Sequence, residues 1–343
     1  IVGVTAMSTY FPECVQEVAR AKAYGLKTII GGPHVICDPI QSLIDSGADY
    51  AAIGEGEKTF NQLATGIPSA QVDGLAYWEN GKAVMSKQSN EMIGKTESGS
   101  TTFLMQKDIY TLQVGKLKRE FQLDIDDFGM PDWESIDPRS YKYEPHGMII
   151  HARPMAPIIT TRGCPYSCTY CSAPITAGKR MRTRDPHKVV DEIEMLVNKY
   201  GVKEIQIEDD NFTLVREHCV AICEEILKRN IKIVWSLPNG VRIDKLDKEL
   251  LILMKKAGCV SMALGIESAN QRILDLIKKQ LNKKVVRETC KLISEVGIET
   301  TGFFMIGFPT ETKEEINNTI NFAASLPIDR AHFTKVTPLP GTE

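Results

Sequence analysis

From Met155 onward one pattern recurs: a short apolar run rich in β-branched residues, a loop, then an amphipathic stretch of helical period. The apolar runs fall at 157–161, 204–207, 231–236, 260–266, 299–306 and 331–336. Helical patterns fill 185–200, 215–228, 247–257, 271–296 and 313–324. Asp185-Pro186 opens the first of these with an N-cap residue and a proline at the first helical position. Strands that alternate with helices of this size form a parallel sheet. Six such strands predict a partial (β/α)6 TIM-type barrel, with its chemistry at the strand carboxyl ends.

Residues 1–90 carry a shorter series of the same kind. Strand patterns lie at 1–6, 27–30 and 50–53, with helical spacing over 13–24 and a short helix after Pro39. The second and third strands run into Gly31-Gly32-Pro33-His34 and Gly54-Glu55-Gly56-Glu57. Apolar runs at 74–78 and 82–85 flank Glu79-Asn80-Gly81, a hairpin signal. A truncated doubly wound, Rossmann-like parallel sheet is expected, with ligands at its carboxyl edge. Residues 91–150 show no sustained period and are expected to be a linker, leaving 151–343 for the barrel. Because the chain opens with Ile1 inside a strand pattern and stops in the loop after the sixth barrel strand, it is expected to be a fragment.

With 43% hydrophobic and 25% charged residues, the composition is that of a soluble globular protein. No apolar run reaches the length of a membrane span. A net charge of −3 argues against a broad phosphate-binding surface, and so against nucleic acid as partner. Nine cysteines without a dense regular framework point to a reducing, cytoplasmic setting.

Three of those cysteines fall within eight residues, in Thr160-Thr161-Arg162-Gly163-Cys164-Pro165-Tyr166-Ser167-Cys168-Thr169-Tyr170-Cys171. Soft thiolates favour iron–sulfur clusters or zinc. A structural zinc site uses four protein ligands, and no fourth Cys or His lies nearby. Three thiolates on a four-iron cluster leave one iron open to an outside ligand. Cys219 and Cys223, four apart on one helix, read as packing, and Cys14, Cys37, Cys259 and Cys290 are scattered.

The C-x3-C-x2-C spacing, with Tyr170 before the last cysteine, resembles the radical S-adenosylmethionine (radical SAM) superfamily over 155–343. The resemblance implies that Cys164, Cys168 and Cys171 bind a [4Fe–4S] cluster whose open iron takes S-adenosylmethionine. Reductive cleavage would then give a 5′-deoxyadenosyl radical. It also implies S-adenosylmethionine contacts at Tyr170, at Asp209 after the second strand, at Asn239 and Arg242 after the third, at Glu267 after the fourth and at Gly307 after the fifth. Simpler readings stand beside these: N-capping for Asp209 and Asp210, a surface ion pair for Arg242, and a helix-start cap for Glu267. Within the basic run 179–184, Arg182 or Arg184 is placed to reach a carboxylate.

Residues 1–90 resemble the second half of the cobalamin-binding domain of cobalamin-dependent radical SAM enzymes. That resemblance implies corrin contacts at Ser8, Thr9, Gly31, Gly32 and Glu55, and His34 reads as a turn residue rather than a cobalt ligand. Asp185-Pro186-His187 does not fit the axial-histidine motif, because Val190 stands where that motif has glycine. The implied activity is methylation of an unactivated carbon in a small molecule or peptide, under anaerobic conditions. A flavodoxin or ferredoxin would supply electrons. The same domains occur in cyclases and rearranging enzymes. The cysteine motif is also compatible with a transfer-RNA methylthiotransferase, or with a non-enzymatic iron–sulfur or corrinoid sensor.

Overall fold

A computed structural model describes residues 1–86, 103–105, 109–114, 117–140, 148–339 and 341–343. The chain divides into two compact units. One holds Ile1–Asp124, Tyr170–Arg180 and Pro338–Glu343, and the other holds Ile125–Thr169 and Met181–Thr337.

In the first unit, β1 (Val2–Thr5), β2 (Thr28–Gly31) and β3 (Tyr50–Ala52) are parallel and lie in sequence order. The hairpin β4 (Leu75–Glu79) and β5 (Lys82–Met85) joins β3 antiparallel. Asn80 and Gly81 both have left-handed backbones, with φ of 50° and 75°, as a type I′ turn requires. One face of the sheet packs Val4, Ile30, Ala51 and Ala76 against Val18 and Leu43, from the helices Phe11–Ala23 and Pro39–Ser46. The other packs Ile29, Ala52 and Leu75 with Leu63, from the helix Gly56–Ala64. Helices therefore cover both faces, as a doubly wound sheet demands. The short helix Pro33–Cys37 follows β2 directly.

The stretch expected to be a linker contains an antiparallel meander: β6 (Phe103–Met105), β7 (Ile109–Val114) and β8 (Leu117–Gln122). Strands of three and six residues carry too few repeats of a two-residue period to stand out in sequence. Parts of that expected linker lie outside the described residues, at 91–102, 106–108, 115–116 and 141–147.

The second unit is built on β9 (Met155–Ile158), the two-residue ladder β10 (Thr161–Arg162) with β11 (Arg182–Thr183), β12 (Glu204–Ile207), β13 (Val234–Val241), β14 (Cys259–Glu267), β15 (Glu299–Ile306) and β16 (Arg330–Lys335). The sheet order is β9-β12-β13-β14-β15-β16, every pair parallel. Both β9 and β16 are edges, so this is an open (β/α)6 barrel rather than a closed one. Outward-facing Ile205, Trp235, Met262 and Phe304 pack against Ile193, Ile222, Leu251, Cys290 and Phe322 of the surrounding helices. Gln206, Ser236 and Ser261 share one register row on the opposite face, and all three are fully buried.

The first strand, expected over 157–161, lies at Met155–Ile158, and Thr161 belongs to the separate β10 ladder; sequence and structure differ locally in two further places. The third strand runs on to Val241 through Pro238, which has no N–H to donate; a register shift between Leu237 and Val241 absorbs it. The expected helix over 271–296 is two, Gln271–Leu276 and Lys283–Val296. Left-handed Lys278 and Gln280 break it, and Asn282 caps the restart by accepting from the Val285 N–H.

Candidate functional site

After β9, Thr160 and Thr161 open the loop to Cys164. Asp209, just past β12, accepts four hydrogen bonds from these two residues. Its Oδ1 takes the N–H groups of Thr160 (2.6 Å) and Thr161 (3.0 Å). Its Oδ2 takes their hydroxyls, at 2.6 and 2.9 Å. Asp209 is 3% exposed, and burial lifts its carboxyl to about 6 although all four donors pull the other way. The simpler reading as a helix cap gives way to that of an anchor, because all four donors come from the two residues that open the cysteine loop. His218, on the helix Arg216–Lys228, completes the anchor with Nε2 3.3 Å from the Thr160 hydroxyl. Neighbouring Asp210 is exposed and accepts from the Gly163 N–H, with the Arg182 charge nearby.

All nine cysteines are free thiols. Cys164 is half-buried; burial pushes its thiol up, Asp210 and Cys168 add to the rise, and the Tyr166 N–H and Arg242 oppose it. Thr169 continues the loop by donating its N–H to the Ile277 carbonyl at 3.2 Å. Tyr170 and Cys171, also half-buried, belong to the first compact unit. Among the described residues no three His, Cys, Asp or Glu side chains converge on one ion. A cubane cluster asks for something different, since each cysteine binds its own iron.

Arg242, at the end of β13, is 7% exposed, so it is no surface ion pair. Its guanidinium lies 3.8 Å from the centre of the Tyr166 ring, Nε donates to Asp244 at 2.9 Å and Nη2 donates to the Gln280 carbonyl at 3.2 Å. Nη1 is buried with no hydrogen-bond partner. A buried guanidinium donor aimed at nothing is a costly arrangement unless an anion completes it. With Cys164 and Cys168 in the same unit, it makes this end of the barrel fit thiolate-bound iron and a carboxylate-bearing ligand.

Glu267 ends β14 in a left-handed conformation, φ 67°, and is 6% exposed. Its Oε1 lies 2.8 Å from Lys279 Nζ, itself 7% exposed, so its partner is a buried ammonium and it caps no helix. Asn239 is exposed and donates from Nδ2 to the Glu208 carbonyl at 2.7 Å. Gly307, with φ 87°, donates its N–H to Glu311 at 2.7 Å, and Phe308 does so at 3.2 Å. Arg184 does reach carboxylates: Glu192 at 2.6 Å and Asp126 at 3.4 Å. Cys219, Cys223, Cys259 and Cys290 are fully buried in the core, as packing residues should be.

In the first unit, Ser8 Oγ bonds His34 Nδ1 at 3.1 Å, and the His34 ring stacks on Phe11 at 4.0 Å. His34 is thereby a packing residue, and it sits in the helix Pro33–Cys37 rather than in the expected turn. Thr9 is exposed, flanked by Met7 and Tyr10 at 47% and 66% exposure. Gly31 closes β2. Gly32 has φ 95°, and a Cβ there would sit 2.9 Å from Thr5 Cγ2, so its glycine is required by the fold itself. Glu55 Oε2 accepts from the Gln122 N–H at 3.1 Å, tying it to β8. Lys279, Tyr166, His218 and the Thr160–Thr161 pair were missed by sequence reasoning. Only the double threonine, adjoining the cysteines, carried a local signal.

Fold and site together define an open parallel α/β barrel whose first strand leads into the cysteine loop. The sequence profile of the radical SAM superfamily matches residues 158–323. An uncharacterized methyltransferase of Pyrococcus horikoshii is 31% identical over 100% of this chain and 68% of its own length. The anaerobic magnesium-protoporphyrin IX monomethyl ester cyclase of Cereibacter sphaeroides is 38% identical over 100% of this chain and 52% of its own. The chain belongs to the radical SAM superfamily. Its fold is also that of the radical S-adenosylmethionine methyltransferase TsrM from Kitasatospora setae, solved with cobalamin and a [4Fe–4S] cluster bound. The TM-score is 0.75 at 19% identity, over 99% of this chain and 62% of TsrM. The chain thus spans between about half and two thirds of these proteins. Among the described residues no helix is long and apolar enough to cross a membrane.

Proposed function

We propose that the protein is a cobalamin-dependent radical SAM methyltransferase acting on an unactivated carbon. The observation that carries this reading is the pairing, in one chain, of a parallel α/β unit with an open three-cysteine barrel. That same pairing extends over nearly the whole chain in the fold likeness to a cobalamin-bound methyltransferase. The chemistry supplied when the bound groups are present is reductive cleavage of S-adenosylmethionine to a 5′-deoxyadenosyl radical, and a methyl group from cobalamin.

This chain's own residues bind and orient. Cys164, Cys168 and Cys171 would hold the cluster, and Arg242, with its unpartnered Nη1, would receive the carboxylate of S-adenosylmethionine. Tyr166 keeps that guanidinium in place from its other face. Glu267, fixed by Lys279, offers a carboxylate to the hydroxyl or ammonium groups of the same ligand. Asn239, Gly307 and Tyr170 would complete its surroundings. At the carboxyl edge of the first sheet, the adjacent half-buried Ser8 and exposed Thr9 hydroxyls are flanked by the apolar surfaces of Met7 and Tyr10. Such a ledge suits a planar ring rimmed with amides, with the Gly31–Gly32 turn and Glu55 nearby on the same edge. A small molecule or peptide would be the substrate, and flavodoxin or ferredoxin the electron source.

The test supplies the full protein, loaded anaerobically with cluster and cobalamin, with S-adenosylmethionine bearing a deuterated methyl group. Deuterated methyl in the product, together with 5′-deoxyadenosine, is the expected outcome. A protein that never takes up cobalamin would overturn the reading. The 38% identity to the cyclase favours a second reading, ring formation on the same two cofactors. Product with 5′-deoxyadenosine but without label would select it.

A further inference from the structure

Asp209 does more than fill a barrel corner, and its geometry says what. Its two oxygens divide the work: one takes both backbone N–H groups of Thr160 and Thr161, the other takes both hydroxyls. Together they bind the two residues through which β9 passes into the cysteine loop, three residues before Cys164. The donors cannot be met by water, because Thr160, Thr161 and Asp209 are 0, 2 and 3% exposed. His218, 5% exposed, closes the far side of Thr160. The loop beyond has half-buried cysteines and exposed Pro165 and Ser167, so little core packing fixes it.

We propose that Asp209 is a positioning residue for the iron–sulfur cluster: by four hydrogen bonds to Thr160 and Thr161 it fixes the backbone from which Cys164 is presented. The inference rests on superfamily membership and not on the identity of the reaction. Asparagine is close to isosteric and keeps the scheme. Its Oδ1 accepts from both N–H groups, and its Nδ2 donates to hydroxyls that can accept as well as donate. Alanine removes all four bonds.

Asp329 supplies the control, because its Oδ2 clamps Thr300 in the same way, through the N–H at 2.7 Å and the hydroxyl at 3.2 Å. That clamp sits at the amino end of β15, where no cluster ligand follows. Purified full-length variants are reconstituted anaerobically with iron and sulfide, and iron per chain and the electron paramagnetic resonance line shape of the reduced cluster are measured. Asp209→Ala is expected to lose at least half its iron and to alter the line shape, Asp209→Asn to retain both, and Asp329→Ala to lose stability without losing iron. Should Asp209→Ala fail to fold, Thr161→Val against Thr161→Ser removes and restores one of the four donors, with loss and recovery of the line shape expected. Wild-type iron and line shape in Asp209→Ala or in Thr161→Val would overturn the proposal. So would an Asp329→Ala protein that loses as much iron as Asp209→Ala.

Discussion

Lys279 Nζ lies 2.8 Å from Glu267 Oε1, and both side chains are more than nine-tenths buried. A buried pair of this kind is weak as a source of net stability but severe when halved. Lys279→Met strands the Glu267 carboxylate and is expected to destabilise the protein by about 3 kcal/mol or more, read from urea unfolding. Glu267→Gln is expected to leave iron content unchanged. If Glu267 also faces S-adenosylmethionine, calorimetry will show affinity falling by about tenfold, the worth of one charge-assisted hydrogen bond. Unaltered affinity would confine Glu267 to its lysine.

The nine cysteines should sort cleanly by role. Changing Cys164, Cys168 or Cys171 to Ala is expected to abolish the reconstituted cluster. Cys219→Ala and Cys290→Ala, both at fully buried core positions, should keep full iron and lose only about 1 kcal/mol of packing. Oxygen should bleach the cluster of the wild-type protein. Full iron in the triple Cys164, Cys168 and Cys171 variant would contradict the assignment.

Burial also separates two ion pairs of the second unit. Glu192 is buried and takes both the Trp133 indole N–H at 2.8 Å and the Arg184 guanidinium at 2.6 Å. Glu134 and Lys199 make an equally short contact, 2.5 Å, but are 77% and 52% exposed. Glu192→Ala should therefore destabilise by about 3 kcal/mol or more, and Glu134→Ala by less than about 1 kcal/mol. Equal losses in urea unfolding would show that burial does not govern these contacts.

Regular periods made most of the fold legible. All six barrel strands lie at apolar runs of four to eight residues, the first five of them ahead of helical patterns, and the Asp185, Asp247 and Thr312 caps mark where helices begin. The Asn80-Gly81 hairpin was equally plain, since its turn requires two left-handed residues. What stayed hidden depends on contacts between residues far apart in sequence. Asp209 meets Thr160 and Thr161 across 49 and 48 positions, and Lys279 meets Glu267 across 12, from a segment that reads as ordinary helix. A local motif can announce thiol ligands, but it cannot tell whether a nearby carboxylate is spent on a ligand or on the loop itself.

Protons at the Thr160 anchor pull in opposite directions on its two sides. Burial depresses His218 from 6.5 to about 4, while burial raises Asp209 from 3.8 to about 6. A depressed histidine contributes stability that is present above pH 6.5 and lost as the pH falls through about 4. A raised carboxyl contributes stability that is complete below pH 3.8 and lost as the pH rises through about 6. These displacements are worth about 3 kcal/mol apiece, so between about pH 4 and 6 the two slopes nearly cancel in the wild-type protein. Removing either group should expose the other. As the pH falls from about 6 to 4, Asp209→Asn is expected to lose about 3 kcal/mol relative to wild type, and His218→Gln to gain about as much. Comparing each variant with wild type at the same pH cancels the acid response of Glu225 and Glu315, both held near 2 by paired arginines. Urea unfolding across this range decides the matter: two difference curves of opposite slope are required, and curves that run parallel would mean that burial does not shift these two groups in opposite directions.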